Sequence, residues 1–458
     1  MSAWRRRAWR RAAVALLLAV GACVTRHVPQ ENPIPVIVMP PSAAKDKART
    51  NTAEDVPTDA APRPRTEGAR DVRVALATAA QGAVLSATGA WRLSDSRNSV
   101  LVRGHAGDTW SVERRGRQLR ATANGSGATP WRDDMLTLRP DRDDAFARFA
   151  GRSYRGAIRV IASDSGLVIV NVLPMEDYLR GVVPLEIGGP RAGNEQAAVE
   201  AQAIAARSYA VVRLATVDGT ASRNVNYDML SSVADQVYGG VDAERPFSDR
   251  AVQSTRGLVI KYNGRPVSAP YHSACGGETA APDEVWRATP APYLRRVSDR
   301  IPGTDKSYCD IAPRFSWTRV FSGDDLDVAL RLYLKSFTAV PAGGPGHARS
   351  VVVESRTPSG RVGRLAIGTD QGAFALRGND IRSVLRAPGG EMLNSTYFSV
   401  ETEHRRDGTL GRLVIRGNGY GHGIGMCQWG AIGRARAGQT VRMILATYYP
   451  GTTLAAAY

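Results

Sequence analysis

The sequence predicts an α+β fold, mostly antiparallel β structure with a few helices, which follows a leader and a proline-rich tether. Apolar residues make up 43% of the 458 residues and charged residues 22%, the proportions of a protein that can bury a core. Short, partly alternating apolar runs separated by Gly, Asn and Asp open the body, as expected of antiparallel strands. A later run instead repeats small and apolar residues at helical spacing.

The first residues predict export. Arginines precede an apolar run from Ala12 to Val20, and Gly21-Ala22-Cys23 follows it. Even counted to Ala22 the apolar run has only 11 residues, too few for the ~20 that span a bilayer, so we predict a signal peptide and no transmembrane domain. The small residues before Cys23 resemble a bacterial lipobox, which implies a signal peptide over residues 1–22 and a lipid on Cys23. Ordinary secretion, with Cys23 in a discarded peptide, is the alternative.

Residues 23–67 are predicted to form a linker. Eight prolines lie between Val28 and Arg65, without sustained apolar periodicity. Such a tether of about 45 residues would reach roughly 40 Å as a flexible coil and about 140 Å in extended polyproline geometry. A folded body attached to it could work on material well away from its membrane.

The body is predicted to begin with a β-rich region over residues 68–165, followed by a second part over residues 166–458. The apolar runs predict seven strands, at Val72–Ala77, Ala83–Ala87, Ser99–Val102, Asp108–Val112, Gln118–Ala123, Gly156–Ile161 and Gly166–Val172. The simplest role of the first region is that of a scaffold.

The first clear helix is predicted to start near Asn194, a favourable N-cap, with Glu195 in its first turn. One face of this helix carries mostly small residues at helical spacing, which would allow close packing against a neighbour: Ala197, Ala201, Ile204, Ala205, Ser208 and Val212. Gln202 and Arg207 fall outside this face. Arg207 could orient a carboxylate, although an arginine on a helix surface is more often simply solvated.

The net charge of +17 favours a polyanionic partner such as nucleic acid, anionic lipid or an anionic cell wall. Without the five arginines of the leader, the charge is about +12. Lysine is rare and the remaining arginines are scattered, without basic blocks or interleaved aromatic residues. This distribution weakens the nucleic-acid interpretation, and we predict no nucleic-acid partner.

Five segments together resemble the SpoIID/LytB family of bacterial cell-wall proteins. They cover residues 177–186 (DYLRGVVPLE), 201–210 (AQAIAARSYA), 271–279 (YHSACGGET), 419–431 (GYGHGIGMCQWGA) and 448–452 (YYPGT). The resemblance spans roughly residues 70–458 and implies action on peptidoglycan. Some members are lytic transglycosylases that cut the glycan strand, and others enhance a cell-wall amidase.

Glu186 is the candidate catalytic residue. Its neighbours Val182, Val183, Pro184 and Leu185 are apolar, so a folded loop here would bury part of the carboxyl and raise its pKa. A carboxyl protonated near neutral pH can act as a general acid. The resemblance places the family's catalytic glutamate at this position, whereas the residues alone favour an ordinary carboxylate on a surface loop.

Six further residues are candidates for contact with the glycan: Gln202, Arg207, Tyr238, His272, Tyr420 and His422. For Gln202, Tyr238 and His272 a structural role is equally open. Glycine occupies every second position from Gly417 to Gly425, so an extended chain would present a bare backbone strip to a sugar or to a packed neighbour. The spacing does not match a dinucleotide-binding motif.

The cysteines and histidines allow three interpretations. Adjacent residues of a strand point to opposite faces, which argues against a hydrolase in which His272 activates Ser273. Zinc could bind His272 and Cys275 with Cys309, His422 or Cys427, but the metal-binding loop of some family members, here residues 228–235, has neither Cys nor His. We therefore predict no metal and no cofactor. A disulfide between Cys275 and Cys309 would suit an oxidising compartment, although sequence alone does not determine the pairing.

These observations predict a lipid-anchored lytic transglycosylase of the cell envelope, facing the periplasm or cell wall. A single carboxyl, Glu186, would act as acid and base to leave 1,6-anhydromuramic ends. The alternative is a non-catalytic protein that binds peptidoglycan and enhances a cell-wall amidase.

Overall fold

The computed structural model describes residues 71–123, 127–217, 225–286 and 288–458. The predicted signal peptide, Cys23 and the tether lie outside these ranges. Within the described ranges, no helix is both long and apolar enough to cross a membrane. The fold is mixed and rich in antiparallel strands with a few helices, which confirms the predicted class.

The first region forms two antiparallel sheets around one core. Its strands are β1 (Val72–Ala80), β2 (Ala83–Ala87), β3 (Trp91–Asp95), β4 (Val100–Gly104), β5 (Trp110–Arg115), β6 (Gln118–Ala123), β7 (Arg132–Asp133), β8 (Met135–Pro140), β9 (Ala147–Phe149), β10 (Arg152–Tyr154), β11 (Ala157–Ser163) and β12 (Gly166–Leu173). All seven predicted strands overlap observed ones. The sequence analysis missed β3 and β8, two central strands whose buried apolar residues alternate with polar ones.

The larger sheet carries the chain into the second part of the body. It has the order β13-β1-β12-β11-β8-β3-β4, in which β13 (Met229–Leu230) joins the edge parallel to β1. All eight residues of β12 are buried, since both faces of this strand are covered. Leu173, its last residue, is followed by Pro174 and the first helix, so the sheet sets the position of that helix.

A group of helices and short strands packs beside these sheets. The elements are α1 (Met175–Ile187), α2 (Gln196–Val217), α3 (Pro246–Ser254), β14 (Leu258–Tyr262), β15 (Arg265–Pro266), β16 (Tyr271–His272), α4 (Pro282–Val285), β23 (Met426–Cys427), α7 (Gln428–Arg436), α8 (Val441–Tyr448) and β24 (Thr453–Ala456), with 3₁₀ turns at Gly193–Glu195 and Gly240–Ala243. Strand β14 lies between β15 and β24, and β16 pairs in parallel with β23.

Helix α2 is the centre of this group, and its burial differs from the sequence prediction. The sequence analysis assigned it one packed face, yet every residue from Ala198 to Ser208 except Glu200 is buried, including Gln202 and Arg207. Helices α1, α3, α7 and α8 and strand β14 surround it. Alanines on several sides allow all these neighbours to approach closely, so a helix that lacks a polar face belongs in the core. Asn194 lies in the preceding 3₁₀ turn, and α2 begins at Gln196.

Residues 316–418 build a second hydrophobic core, which the sequence analysis did not distinguish. They form β17 (Ser316–Ser322), α5 (Gly323–Tyr333), a 3₁₀ turn (Leu334–Ser336), β18 (Ala348–Arg356), β19 (Val362–Thr369), β20 (Gly372–Arg377), α6 (Asp380–Val384), β21 (Phe398–His404) and β22 (Leu410–Asn418). Two three-stranded antiparallel sheets, β17-β22-β21 and β18-β19-β20, contribute to it. The chain returns to the first core directly after β22.

The four alternating glycines after β22 do not form an extended strand, so the bare backbone strip considered from the sequence is not formed. Gly419, Gly421, Gly423 and Gly425 have φ angles of 79°, 112°, 88° and 69°, in the left-handed region. A Cβ atom on Gly425 would lie 2.0 Å from the carbonyl oxygen of Pro270. The segment therefore packs its backbone against the chain around β16, and side-chain atoms would prevent this approach.

Candidate functional site

Glu186 lies in the last turn of α1 and not in a loop as expected from the sequence. The helix contains Pro184, which cannot donate a backbone hydrogen bond within it. One turn earlier, Gly181 leaves room for the ring of Tyr238, because a Cβ atom there would lie 2.5 Å from that ring. The amide of Gly239 donates to the carbonyl of Gly181 at 3.1 Å. These contacts place residues 236–239 against the end of the helix.

The carboxyl of Glu186 is held by this segment. The amide of Val237 donates to Oε1 at 3.0 Å, and the side chain is half-buried. Burial raises the pKa of Glu186 to about 7, although the hydrogen bond from Val237 partly opposes this shift. The end of a helix also disfavours a negative charge, because its dipole is negative there. Glu186 can therefore both give and take a proton near neutral pH.

Gln236 links two tyrosines beside Glu186. The hydroxyl of Tyr178 donates to Oε1 of Gln236 at 2.9 Å, and Nε2 of Gln236 donates to the hydroxyl of Tyr271 at 2.9 Å. Burial is the main cause and the charge of Glu186 the second cause that raise the pKa of Tyr178 and Tyr271 well above the usual value. Both phenols are therefore neutral. Sequence reasoning did not select Gln236 or Tyr271 as site residues, although they lie within two positions of residues that it did select, Tyr238 and His272.

His422 joins the site through Tyr271. Its Nε2 lies 2.9 Å from the carbonyl oxygen of Tyr271, and its Nδ1 accepts from the amide of Ile424 at 3.1 Å. A carbonyl only accepts, so these partners assign the neutral tautomer with hydrogen on Nε2. Burial and the charge of Arg382 lower the pKa of His422 to about 3. His422 is therefore a fixed neutral donor and cannot serve as a proton carrier near neutral pH.

Aromatic rings surround His422. The ring of His272 lies 5.4 Å from it and that of Trp286 lies 4.8 Å from it, between centroids. Trp286 is 38% exposed, whereas His272 is buried and its Nδ1 faces the carbonyl of Ile424 at 3.1 Å. Burial lowers the pKa of His272 well below its usual value. Trp286, which the sequence analysis missed, thus offers an accessible ring face beside a neutral histidine.

Tyr420 is half-buried and lies on a neighbouring turn. Its amide and carbonyl exchange hydrogen bonds of 2.8 and 3.0 Å with Ala274, which follows β16. The guanidinium of the exposed Arg314 lies 5.0 Å from the centre of its ring. This pair adds a cation and an aromatic ring to the surface near β16.

Three predicted groove residues are buried and bind within the protein instead. Arg207 is fully buried and forms a two-point ion pair with Glu176 at 3.0 and 2.8 Å. Tyr238 donates to Asn171 at 2.7 Å, and Gln202 accepts from Gln428 at 3.2 Å. All three side chains bind within the protein, so the structure favours the structural role, which the sequence analysis left open for Gln202 and Tyr238, over contact with the glycan. The other three, His272, Tyr420 and His422, lie around β16 and the glycine-rich segment.

Cys275, Cys309 and Cys427 lie together, and Sγ of Cys427 accepts from the amide of Gly430 in α7. Sγ of Cys275 is 3.4 Å from Sγ of Cys309, and Cys427 and Asp299 complete a buried group. All three thiols are free, so the structure does not contain the disulfide considered from the sequence. Asp299 carried no signal in the sequence, because it lies in a loop without a motif.

A separate cavity of 790 Å³ lies in the second core region, away from Glu186. It is lined mainly by β17, β21 and β22, with Trp317, Arg356, Tyr397 and Arg416 on its walls. None of the predicted site residues lines it.

Two family models match parts of the described body. A family model described as Stage II sporulation protein matches residues 163–262, which include Glu186, α2 and Val237. A second model, described as a domain of unknown function, matches residues 303–425, close to the second core.

Three curated proteins are similar to this chain. Stage II sporulation protein D of Bacillus amyloliquefaciens is 30% identical over 300 residues, 63% of this chain and 76% of that protein. The amidase enhancer of Bacillus subtilis (strain 168) is 29% identical over 316 residues, 60% of this chain and 40% of that protein. An uncharacterized protein of Brachyspira hyodysenteriae is 28% identical over 307 residues, 66% of this chain and 73% of that protein. The matched region thus spans less than half of the amidase enhancer.

Proposed function

Since the chain belongs to the SpoIID family, we propose that it is a lytic transglycosylase that cuts the glycan strands of peptidoglycan, with Glu186 as its acid and base. A cell-wall related role follows from the family. The observation that carries the proposed reaction is the environment of Glu186, a half-buried carboxyl with a pKa raised to about 7. Such a group holds a proton at neutral pH and can release it to a substrate.

The carboxyl of Glu186 is arranged so that it can act first as an acid and then as a base. Oε1 of Glu186 accepts from Val237, which leaves Oε2 to carry the proton. Oε2 protonates the oxygen of the glycosidic bond, and that bond breaks as positive charge develops at C1 of the muramic acid. The C6 hydroxyl of the same sugar attacks C1 and returns its proton to Glu186. The product carries a 1,6-anhydro ring, and the carboxyl is again protonated.

This reaction does not need a second carboxylate, whereas hydrolysis by most glycosidases does. Asp235 lies close enough to raise the pKa of Tyr178, but its own oxygens are engaged. Arg213 lies 2.8 Å from Oδ1, and the amide of Leu230 donates to Oδ2 at 2.9 Å. This supports a role for Asp235 in holding the fold, and it leaves Glu186 as the reacting group.

Accessible rings around His422 and β16 support binding of a sugar chain. Trp286 and Tyr420 expose aromatic faces, and Arg314 adds a positive charge that complements an anionic wall polymer. Both ring nitrogens of His422 bind backbone groups, which fixes its ring next to Trp286. We propose His272, His422 and Tyr420 with Trp286 and Tyr271 as the residues that shape the glycan site.

The test is digestion of purified sacculi and of glycan strands stripped of peptides, followed by mass analysis of the products. The proposal predicts new 1,6-anhydromuramyl ends, and loss of general acid catalysis in Glu186→Gln should lower their rate about 10²- to 10⁴-fold. Glu391→Gln, an exposed carboxylate in the second core region, is the matched control and should retain full activity. Absence of such ends from both substrates, or their persistence in Glu186→Gln, would refute the transglycosylase.

The second candidate function is enhancement of a cell-wall amidase without cleavage of the glycan. The similarity to the amidase enhancer of Bacillus subtilis favours it. A binder would leave both glycan substrates uncut yet accelerate release of peptides when a purified wall amidase is added. Glu186→Gln would then leave that stimulation unchanged, because no proton transfer is involved.

A further inference from the structure

We propose that Cys275, Cys309, Cys427 and Asp299 form a binding site for one structural zinc ion. The four side chains are buried, and one ligand atom of each lies within 4.8 Å of all the others. They come from separate parts of the chain: Cys275 follows β16, Cys427 ends β23, and Asp299 and Cys309 lie in the connection to the second core. Three thiols and a carboxylate are a ligand set that zinc accepts in tetrahedral geometry.

The distances match that geometry. Tetrahedral zinc with bonds of about 2.3 Å to sulfur and 2.0 Å to oxygen separates two sulfurs by about 3.8 Å, and a sulfur from an oxygen by about 3.5 Å. Sγ of Cys275 lies 3.4 Å from Sγ of Cys309 and 3.6 Å from Oδ2 of Asp299. These two separations therefore differ from those around a zinc ion by only tenths of an ångström.

Neighbouring groups orient the ligands. Oδ1 of Asp299 accepts from Nη2 of Arg434 at 3.0 Å and from the hydroxyl of Tyr448 at 2.8 Å, which leaves Oδ2 directed toward the sulfurs. The amides of Cys275 and Gly430 both donate to Sγ of Cys427 at 3.2 Å. Amide donors to sulfur and a second hydrogen-bonded shell around a carboxylate are typical of metal centres, where they fix the ligands and stabilise thiolates.

The surrounding charges suit an anionic centre. Zinc with three thiolates and one carboxylate has a net charge of −2. Two buried guanidinium groups border the cluster, Arg434 on Asp299 and Arg361 on the carbonyl of Cys275 at 2.8 Å. Among the described residues, Nε and Nη1 of Arg361 have no hydrogen-bond partner. A buried cation without a full set of partners is costly, and a nearby dianion would offset that cost.

The proposed ion would be structural, since four protein ligands leave no open position for a substrate. It would join the strand pair β16 and β23 to the connection that leads to the second core. His272 pairs with Cys427 across these strands, and Tyr271 precedes it, so the ion would hold the backbone that carries the glycan site. The expectation of no metal was based on residues 228–235, a different part of the chain from this cluster.

The decisive measurement is the zinc content of the full chain, purified in detergent without chelators, by mass spectrometry of the elements. We expect about one zinc per chain, and less than a tenth of that in Cys309→Ser and Asp299→Asn. Asp305→Asn is the matched control, because Asp305 is an exposed carboxylate in the same connection and should leave the zinc content unchanged. Zinc content does not depend on any enzymatic activity, so its result is independent of the proposed function.

A second measurement uses the unmodified chain, so it tests the proposal even if the substituted proteins fail to fold. A mercurial reagent that titrates thiols of the unmodified chain should release the zinc in step with three cysteines, and replacement by cobalt should produce thiolate-to-cobalt charge-transfer bands. Less than a tenth of a zinc per chain after expression in zinc-supplemented medium would overturn the proposal. So would a Cys275–Cys309 disulfide in the mapped peptides of the native protein, because it would remove two ligands.

Discussion

At the scale of single residues, Glu186 lies where burial and the negative end of α1 both oppose ionisation of its carboxyl. Only the amide of Val237 favours the charged form. The apolar sequence around position 186 was enough to predict the direction of this shift. The hydrogen bond from Val237, 51 positions away, depends on tertiary packing.

The raised pKa predicts how Glu186 affects stability. Between its usual value of 4.5 and about 7, the folded protein keeps a proton that the unfolded chain loses, so stability falls as pH rises through this window. Glu186→Gln removes that dependence. Relative to the unmodified protein, we expect the variant to gain about 2–3 kcal/mol between pH 5 and pH 8.

Urea unfolding of both proteins at the two pH values measures this difference, with Glu391→Gln as an exposed control that should show none. An equal stability difference at pH 5 and pH 8 would mean that the carboxyl is as well solvated as in the unfolded chain.

The same pKa predicts the pH dependence of the proposed reaction. The reaction needs protonated Glu186, so kcat/KM on glycan strands should fall tenfold per pH unit above about 7. His422 should contribute no titration near neutral pH, since its pKa is lowered to about 3. The measurement is a pH–rate profile from pH 5 to 9. A rate that rises through pH 7 would contradict the assignment of Glu186 as the acid.

At the scale of elements, the buried pair of Arg207 and Glu176 ties α2 to α1. Arg207 also donates to the carbonyls of Val252, in α3, and Leu258, in β14. Glu176 accepts in addition from the amide of Gly257 at 3.1 Å. Arg207, which the sequence analysis listed as a possible groove contact, thus joins α1, α2, α3 and β14.

Loss of one partner of this pair should be severe. Arg207→Gln leaves Glu176 charged and buried, and we expect the free energy of unfolding to fall by about 3–5 kcal/mol. Chemical denaturation measures the loss, and Arg250→Gln, an exposed position on α3, is the control with an expected change below about 0.5 kcal/mol. Equal, small effects of both substitutions would show that the pair contributes little.

The glycine-rich segment offers a second prediction at this scale. Gly425 and Gly438 both have positive φ, 69° and 80°, but only at Gly425 would a Cβ atom collide with backbone, 2.0 Å from the oxygen of Pro270. Gly438→Ala should therefore cost about 1–2 kcal/mol for its conformation alone. Gly425→Ala should cost clearly more, because β16 and the segment must also move apart.

Thermal unfolding of the two alanine variants separates the cost of conformation from that of close approach. If Gly425→Ala is no less stable than Gly438→Ala, the close packing of this segment against residue 270 is not required for stability.

At the scale of the whole molecule, the predicted leader and tether would determine where the folded body works. We propose lipid attachment at Cys23, which lies outside the described residues. Cys23→Ser should abolish labelling of the chain by an alkyne fatty acid and move it from the membrane fraction to the soluble envelope fraction, because acyl burial supplies the anchoring energy. Thr52→Ala, in the tether, should leave labelling and fractionation unchanged. Labelled Cys23→Ser protein would contradict the proposed attachment site.

The body itself consists of two cores joined around β16, β23 and β22. The strand-rich class and most strands of the first sheets could be predicted, since alternation along a strand is a local property of the sequence. The second core could not be separated from the first, because apolar runs of the same kind build both. Its boundary becomes visible only from which runs pack together.

The sequence by itself determined the α+β class and the family motifs, and it predicts an export signal, a tether and, through the family resemblance, a catalytic Glu186, since each depends on residues close together in the chain. The tertiary structure decided that Arg207, Gln202 and Tyr238 are buried, that the glycines after β22 form a looped segment, and that Asp299 meets three cysteines. Burial and hydrogen bonding are sums over neighbours in space, and Asp299 and Arg434 lie 135 positions apart. Periodicity carries no information about such neighbours.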